Sequence, residues 1–295
     1  MKSSGRNSIE VAVTGPGSQP VEDDGSSLEY IQLPKEMDRY RAPDIPEPEE
    51  VAHLAAARTV MDWLQAALER YRAGHPPLLA DISGLDAANR DLVNQILGEG
   101  EVSLQYNGSV QVRMQESVLA GIWRTCYLDE NGALTHDLIE VADVPLLART
   151  PLADDRDFGR AAGLTRVTPP AEVMNAMPIL SEVQEHLQTW QPGQTAHVIN
   201  LTLLPLSPAD IDFLEETLGE GPVKTLSRGY GECQVRSTAC PNLWWVRYYN
   251  SMGTLILNTL EVVDIPLVAC AAQDDLDDSR LRMRELLEPY WQELA

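Results

Sequence analysis

The sequence predicts an α+β fold with an internal duplication of a helix-strand-helix-antiparallel meander unit, the two repeats packed as a pseudo-dimer. The first observation is a spacing, because Leu97-Gly-Glu-Gly100 and Asp143-Val-Pro-Leu146 recur 121 residues later as Leu218-Gly-Glu-Gly221 and Asp264-Ile-Pro-Leu267. The second is an order of periodicities, since helical spacing precedes each Leu-Gly-Glu-Gly motif and strand-like alternation follows it. Ordered matches of this kind indicate an internal repeat.

Single residues between these motifs support the duplication. Trp123 recurs as Trp244 and Tyr127 as Tyr248, again 121 residues apart. Gln111-Val-Arg113 aligns with Gln234-Val-Arg236 at a spacing of 123 residues. We interpret this local slip as a change in loop length on either side of one strand.

Each repeat begins with a helix followed by a short apolar strand. In residues 51–71 the apolar positions recur at three- and four-residue spacing and form one helical face, and residues 178–190 are the counterpart in the second repeat. The strands that follow are predicted at residues 78–82 and 197–203.

A second helix follows in each repeat, and its ends are marked by capping residues. Ser207 is a natural N-cap, Asp210 lies in the first turn, and Gly219 supplies the left-handed residue that ends the helix. Asp86 and Gly98 take the corresponding places in the first repeat.

Short strands rich in Val, Ile, Leu, Tyr and Trp complete each repeat. Asn131-Gly132 and Met252-Gly253 are hairpin turn signals at equivalent places. A closing helix is predicted from Asp274, with Met283 and Leu287 on its buried face and Pro289 as a point of kinking.

Composition divides the chain into three segments. Residues 1–48 read as a disordered or extended N-terminal arm, because they are rich in Gly, Ser, Pro, Asp and Glu and lack periodicity. Residues 49–168 form the first α+β repeat with its connector. Residues 169–295 form the second repeat with the closing helix.

The chain is strongly acidic, with a formal net charge of −23 and a pI near 4.4. Such a protein is repelled by nucleic acid and by anionic membranes, so neither nucleic-acid binding nor direct membrane insertion is expected. The first residues are polar and no apolar run is long enough to span a bilayer, which predicts a cytoplasmic protein. The acidity serves solubility, or suits a basic partner segment such as a twin-arginine signal peptide.

The sequence contains no known catalytic motif of the four types that we sought. These are the phosphate loop, the dinucleotide-binding fingerprint, the nucleophile elbow and the zinc-protease helix. The sequence therefore predicts neither an enzyme nor a bound cofactor. The five histidines show no ligand spacing, and His186 is expected to be an ordinary surface or boundary residue on a helix.

Four cysteines are few and widely spaced, as expected for free thiols in a reducing compartment. Cys233, Cys240 and Cys270 lie in the second repeat without the short spacings of a zinc knuckle. Buried free thiols are the first interpretation. The alternative is an iron–sulfur or metal-handling scaffold in which the three thiols converge.

Trp244-Trp245 is the strongest apolar signal. Neighbouring side chains in a strand face opposite ways. Trp244, the counterpart of Trp123, is therefore predicted in the core. Trp245 is either exposed beside Arg247 and Tyr249 as a partner-binding residue, or lies between the repeats.

Gly229-Tyr230-Gly231 occurs in the second repeat alone. We favour a tight turn that needs glycine. The alternative is a turn kept open so that the backbone can approach a ligand or peptide.

Four segments of the second repeat are distinctive: RGYGECQVRST, LWWVRYYNSMG, TLILNTLEVVDIPLVACAA and DDLDDSRLRMRELL. They resemble the HupH/HyaF hydrogenase expression/formation proteins, and they are the most specific part of the resemblance. It extends to GPGSQP in the arm, LGEGEVS, and PPAEVMNAMPIL, and so covers nearly the whole chain. The first repeat departs most from the family pattern, which leaves a contact role for Arg113 or Trp123 open.

The resemblance implies a non-enzymatic maturation factor, or chaperone, for the iron–sulfur small subunit of an uptake [NiFe]-hydrogenase. Members of the family are expected to bind the small-subunit precursor before twin-arginine export, alongside a thioredoxin-like maturation companion. The candidate partner contacts lie in the second repeat and in the arm. They are Arg228, Gly229, Tyr230, Gly231, Arg236, Trp245, Arg247 and Asn250, with Gly15, Pro16, Gly17 and Gln19.

Overall fold

The computed structural model describes Pro46, residues 51–229 and residues 231–292. Within them the chain forms seven α-helices and ten β-strands. The helices are α1 (Ala55–Arg70), α2 (Ala87–Leu97), α3 (Leu146–Arg149), α4 (Phe158–Gly163), α5 (Ala176–Thr189), α6 (Pro208–Leu218) and α7 (Gln273–Gln292). The strands are β1 (Leu78–Asp81), β2 (Val102–Asn107), β3 (Gln111–Glu116), β4 (Ile122–Leu128), β5 (Leu134–Val141), β6 (His197–Asn200), β7 (Glu220–Gly229), β8 (Gly231–Thr238), β9 (Leu243–Tyr249) and β10 (Leu255–Val262). None of the described helices combines the length and the apolar character needed to cross a membrane.

All ten strands form one antiparallel sheet, in the order β1-β5-β4-β3-β2-β7-β8-β9-β10-β6. Read from one edge, the first five strands are β1-β5-β4-β3-β2. Read from the other edge, they are β6-β10-β9-β8-β7, the same order with each number raised by five. The two halves join where β2 pairs with β7. Helices and an antiparallel sheet in separate stretches of the chain confirm the predicted α+β class.

The predicted helix ends are confirmed. The Ser207 side chain and the first-turn Asp210 form a capping box at the start of α6, and Asp86 accepts a hydrogen bond from the backbone N–H of Asn89 at the start of α2. Gly98 and Gly219 follow these helices with φ of 56° and 68°, values that favour glycine.

The second short strand is shorter than predicted. Strand β6 ends at Asn200, and residues 201–203 form a 3-10 turn instead. The Asn200 side chain accepts a hydrogen bond from the backbone N–H of Thr202 at 3.0 Å, which favours the turn over continued pairing.

Strand registers repeat in the two halves. Leu104 on β2 lies opposite Thr225 on β7, 121 residues further along the chain. Trp123 lies opposite Glu116, and Trp244 lies opposite Ser237. The slip expected for the Gln-Val-Arg motifs is therefore wrong. Strands β3 and β8 keep the same register against their neighbours, so no change of loop length is needed.

Two apolar clusters form the core. The larger contains Trp123 and Trp244 together with side chains of α1, α2 and α7. The smaller lies between α5, α6 and the sheet, and contains Trp245 and Leu260. On α7 the predicted Met283 and Leu287 are buried, and Pro289 lies within the helix.

Candidate binding surface

A row of polar side chains crosses the middle of the sheet. Arg113, Gln105, Lys224, Arg236 and Trp245 lie directly opposite one another on successive strands from β3 to β9. Residues opposite each other in antiparallel strands project from the same face. Trp123 and Trp244 project from the other face.

A second row lies beside the first on the same face. It runs through Gln115, Ser103, Leu226, Gln234 and Arg247. We call the solvent-facing part of both rows, with Arg228 at one end, the central polar face. Its members are Gln105, Arg113, Gln115, Lys224, Arg228 and Arg236.

The central polar face is partly open to solvent. Arg113 is exposed, and Gln105, Lys224, Arg228 and Arg236 are half-buried. A cleft of about 450 Å³ adjoins it near the end of α2, lined by Asn94, Arg113, Gln115 and Arg124 among others. A smaller cleft of about 200 Å³ adjoins it near the end of α6, beside Arg236.

Acidic neighbours orient several of these cations. Lys224 Nζ lies 2.5 Å from Glu220 Oε1, and Arg236 Nη2 lies 3.6 Å from Glu215 Oε1. Arg247 donates to the same Glu215 carboxylate. These contacts restrict the long side chains of Lys224, Arg236 and Arg247.

Trp245 is not exposed, and the partner-contact interpretation that needed its exposure is wrong. Its side chain is 4% accessible and packs in the smaller cluster under α5 and α6, not between the halves. Its indole N–H donates to Asn258 Oδ1, and the Arg247 guanidinium lies 4.6 Å from its ring centroid. The first half holds Arg124 at this place, paired with Asp137 through two hydrogen bonds of 2.8 and 2.6 Å.

The remaining predicted contacts lie at turns or outside the described residues. Gly229 and Gly231 lie opposite each other at the end of the β7–β8 hairpin, and Tyr230 between them is not described. Gly15, Pro16, Gly17 and Gln19 also lie outside the described residues. Of the arm, residues 1–48, the structure describes Pro46 alone.

Asn250 has a local role in the turn between β9 and β10. Its Oδ1 accepts hydrogen bonds from the backbone N–H groups of Met252 and Thr254, at 2.9 and 3.0 Å. Asp129 does the same for Asn131 and Ala133 in the first half. The side-chain oxygen therefore stabilises the hairpin turn.

The three cysteines of the second half do not converge. Cys233 belongs to the larger cluster and Cys240 to the smaller one, and Cys270 packs against the larger cluster beside Arg149. The three sulfur atoms do not all lie within 4.8 Å of one another. Burial raises the pKa of the Cys233 thiol to about 11, and the pKa values of Cys240 and Cys270 to about 12. The expected alternative of a metal or cluster site built from these three thiols is therefore wrong.

Sequence reasoning missed two features. Gln105 and Lys224 join the central polar face, and the polar residues at every second position of β2 (Ser103, Gln105 and Asn107) could have indicated Gln105. His186 is half-buried on α5, as expected for a boundary residue, but its ring also stacks on that of His197, with centroids 3.4 Å apart. No sequence spacing signals this pair, because one residue lies on α5 and the other on β6.

The central polar face offers mainly guanidinium, ammonium and amide donors. Such groups bind carboxylate and carbonyl oxygens, including those of an extended polypeptide. In the adjoining cleft, burial and the neighbouring Asp137 carboxylate raise the pKa of the Cys126 thiol, so it is not an activated nucleophile. The arrangement suits recognition of another chain.

Comparison with known proteins shows which proteins this chain is similar to. The family model described as "HupH hydrogenase expression protein, C-terminal conserved region" matches residues 54–164 and 173–290. The chain is 45% identical to hydrogenase expression/formation protein HoxQ of Cupriavidus necator, over 95% of this chain and 96% of that protein. It is 31% identical to hydrogenase-1 operon protein HyaF of Escherichia coli, over 93% and 94% of the two chains. A solved structure of hydrogenase expression protein HupH from Thiobacillus denitrificans is 32% identical, covering 38% of this chain and 96% of that chain, with a TM-score of 0.35.

Proposed function

The chain belongs to the HupH family of hydrogenase expression/formation proteins, and we propose that it is a non-enzymatic maturation factor for the iron–sulfur small subunit of an uptake [NiFe]-hydrogenase. It binds the small-subunit precursor in the cytoplasm before export. The observation that supports this best is the central polar face, a row of donors on a ten-stranded sheet without an activated nucleophile beside it.

We propose that the body is a duplicated unit whose halves pack as a pseudo-dimer. The support is a separation of 121 residues that recurs between many positions that behave alike. The indole N–H of Trp123 donates to the Ala142 carbonyl, and that of Trp244 donates to the Val263 carbonyl. The family model also matches in two stretches, one in each half.

The central polar face spans the junction of the two halves, which suits an extended segment lying across both. Arg113 and Gln105 belong to the first half, while Lys224, Arg228 and Arg236 belong to the second. Their donors suit the carbonyl and carboxylate groups of the precursor. The overall charge of −23 suits the basic part of a twin-arginine signal peptide through longer-range attraction.

A thioredoxin-like maturation companion is the second proposed partner. The arm residues Gly15, Pro16, Gly17 and Gln19, and the hairpin tip at Gly229, Tyr230 and Gly231, remain candidate contacts for either partner. Arg247 is a weaker candidate for direct contact, because Glu215 and the Trp245 ring already engage its guanidinium.

A binding experiment tests the proposal and the surface together. The purified chain is immobilised and titrated with small-subunit precursor, with and without its signal peptide. Arg113→Glu replaces an exposed donor of the central polar face, and we expect it to weaken binding about tenfold or more. Arg282→Glu, an exposed charge reversal on α7, is the matched control and is expected to bind as the unmodified chain does.

Two outcomes would count against the proposal. Failure of both precursor forms to bind the unmodified chain contradicts the function. Equal binding by the Arg113→Glu and Arg282→Glu variants leaves the function in place but contradicts the surface. Loss of binding on removal of the signal peptide alone would assign that segment as the main determinant.

A further inference from the structure

Three potential metal ligands meet where α5 passes the edge strand β6. Glu182 and His186 are four residues apart on α5 and therefore project from the same side of the helix. His197 is the first residue of β6, and its Nε2 lies 2.8 Å from Glu182 Oε1. The rings of His186 and His197 stack with an interplanar angle of 11°.

We propose that Glu182, His186 and His197 form a binding site for one divalent transition-metal ion of the zinc type. One ligand atom from each residue can be chosen so that all three lie within 4.8 Å of one another, and no other group of three or more His, Cys, Asp or Glu side chains in the described part of the chain meets this condition. Two imidazoles and one carboxylate are a typical zinc ligand set that leaves a further coordination position open.

The distances require a modest adjustment on binding. Zinc ligands lie about 2.0–2.2 Å from the ion, so ligand atoms in a tetrahedral site are about 3.5 Å apart. The stacked rings must also turn, because the nitrogen lone pairs lie in the ring planes and must point at a common centre. Rotation about the terminal torsion of histidine is soft, which makes this adjustment inexpensive.

The packing of α5 on β6 does not itself require these polar residues. In the first half, Leu78 lies opposite Val141 as His197 lies opposite Val262, 119 residues later, and the same spacing relates Trp63 and Ala67 on α1 to Glu182 and His186. Ala67 is buried, and Trp63 and Leu78 pack against the same apolar cluster. Apolar residues therefore occupy the corresponding places in the first half, whereas the second half places a carboxylate and two imidazoles there.

The site is accessible to an ion from solvent. The Glu182 and His197 side chains are 46% and 33% exposed. The chain's negative charge raises the local concentration of cations. The open coordination position of the bound ion can hold water or a donor atom from another molecule.

The test uses the full chain, freed of metal by chelation and titrated with Zn²⁺ in a calorimeter. We expect one ion per chain, with affinity about tenfold or more weaker in His186→Gln and in His197→Gln. His136→Gln, which alters an exposed histidine on β5, is the matched control and should bind as the unmodified chain does. Circular dichroism establishes that each variant is folded.

One further measurement makes the result decisive. Co²⁺ in place of Zn²⁺ should give the visible absorption of a low-coordinate histidine site, and this absorption should be lost in His197→Gln. Absence of saturable Zn²⁺ binding, or equal affinity in all three variants, would overturn the proposed metal site. Neither result would bear on precursor binding, because the titration contains no precursor.

Discussion

Arg149 and Cys270 contact each other, with Arg149 Nη2 4.0 Å from Cys270 Sγ, although 121 residues separate them. Leu104 and Thr225, directly opposite on β2 and β7, have the same separation. In a two-fold arrangement, a residue on the axis touches its own counterpart. These two contacts therefore mark the line about which the proposed pseudo-dimer is arranged.

The two indole hydrogen bonds give a first prediction. Trp123→Phe and Trp244→Phe each remove a hydrogen bond to a carbonyl, at 3.0 and 3.2 Å, and shrink a buried side chain. We expect each to lower the free energy of unfolding by about 1–3 kcal/mol, and by similar amounts. Urea denaturation measures both.

Trp190→Phe is the matched control for these variants. The buried Trp190 Nε1 has no hydrogen-bond partner in the described residues, so the same change removes no bond. Its cost should be smaller than that of either core variant. An equal cost at all three positions would show that the indole hydrogen bonds contribute little.

Asp210 carries the second prediction, because it joins the starts of α5 and α6. Its Oδ1 accepts from the backbone N–H groups of Met174, Asn175 and Ala176, and its Oδ2 accepts from Ser207. Burial opposes ionisation, but the hydrogen bonds prevail and lower the pKa of Asp210 to about 2. We expect Asp210→Asn to lower the free energy of unfolding by about 2 kcal/mol, since an amide brings N–H groups where acceptors are needed.

The sign of the pH effect at Asp210 follows from its lowered pKa. The stabilisation is complete above the ordinary aspartate pKa and is lost as the pH falls towards 2. Asn89 stands 121 residues earlier and accepts from a single N–H, that of Ala57, while its amide donates to Asp86. Asn89→Asp places a carboxylate at the corresponding position with only one N–H to accept from, so we expect it to gain no stabilisation that acid removes. Acid titration of Asp210→Asn and Asn89→Asp, followed by circular dichroism, tests this difference.

Glu116 gives a third prediction, with the opposite pH dependence. The pKa of Glu116 is raised to about 7, mainly by burial. The hydrogen bond from the Gly121 backbone N–H partly offsets this rise, and the Asp275 and Glu101 carboxylates add to it. The folded state therefore binds a proton that the unfolded chain releases near its ordinary value. Stability should fall as the pH rises from about 4.5 to 7 and stay level above.

Glu116→Gln tests this dependence. The neutral amide can still accept from the Gly121 N–H, a hydrogen bond of 3.1 Å in the unmodified chain. We expect the variant to be more stable than the unmodified chain at pH 8, on the order of 2–3 kcal/mol, and similar to it at pH 4.5. Urea unfolding at the two pH values is the measurement, with Glu130→Gln at an exposed position as control. A pH-independent difference would contradict a titrating Glu116.

The thiols give a fourth prediction. Raised pKa values leave Cys233, Cys240 and Cys270 protonated at pH 7.5, and the thiolate is the reactive form. A disulfide reagent should therefore label the native chain far more slowly than free glutathione. All four cysteines should react once the chain is unfolded in guanidinium. Rapid native labelling of Cys270 would contradict the packing of its thiol beside Arg149.

The sequence alone predicted the role of a residue correctly where that residue acts on its neighbours in the chain. The caps at Asp86 and Ser207, the terminating Gly98 and Gly219, and the antiparallel strands between them follow from hydrogen bonding and backbone conformation within a few residues. These rules need no knowledge of the tertiary fold. They predicted the α+β class and most of its elements.

The tertiary structure decided which residues meet. Sequence alternation placed Trp244 and Trp245 on opposite faces, but only the position of α5 and α6 buries Trp245 as well. Likewise, the pairing of β2 with β7 creates the central polar face, and the path of α5 past β6 brings His186 to His197. The physical reason is that side-chain periodicity specifies a direction from the backbone, whereas what lies in that direction depends on contacts between residues distant in the chain.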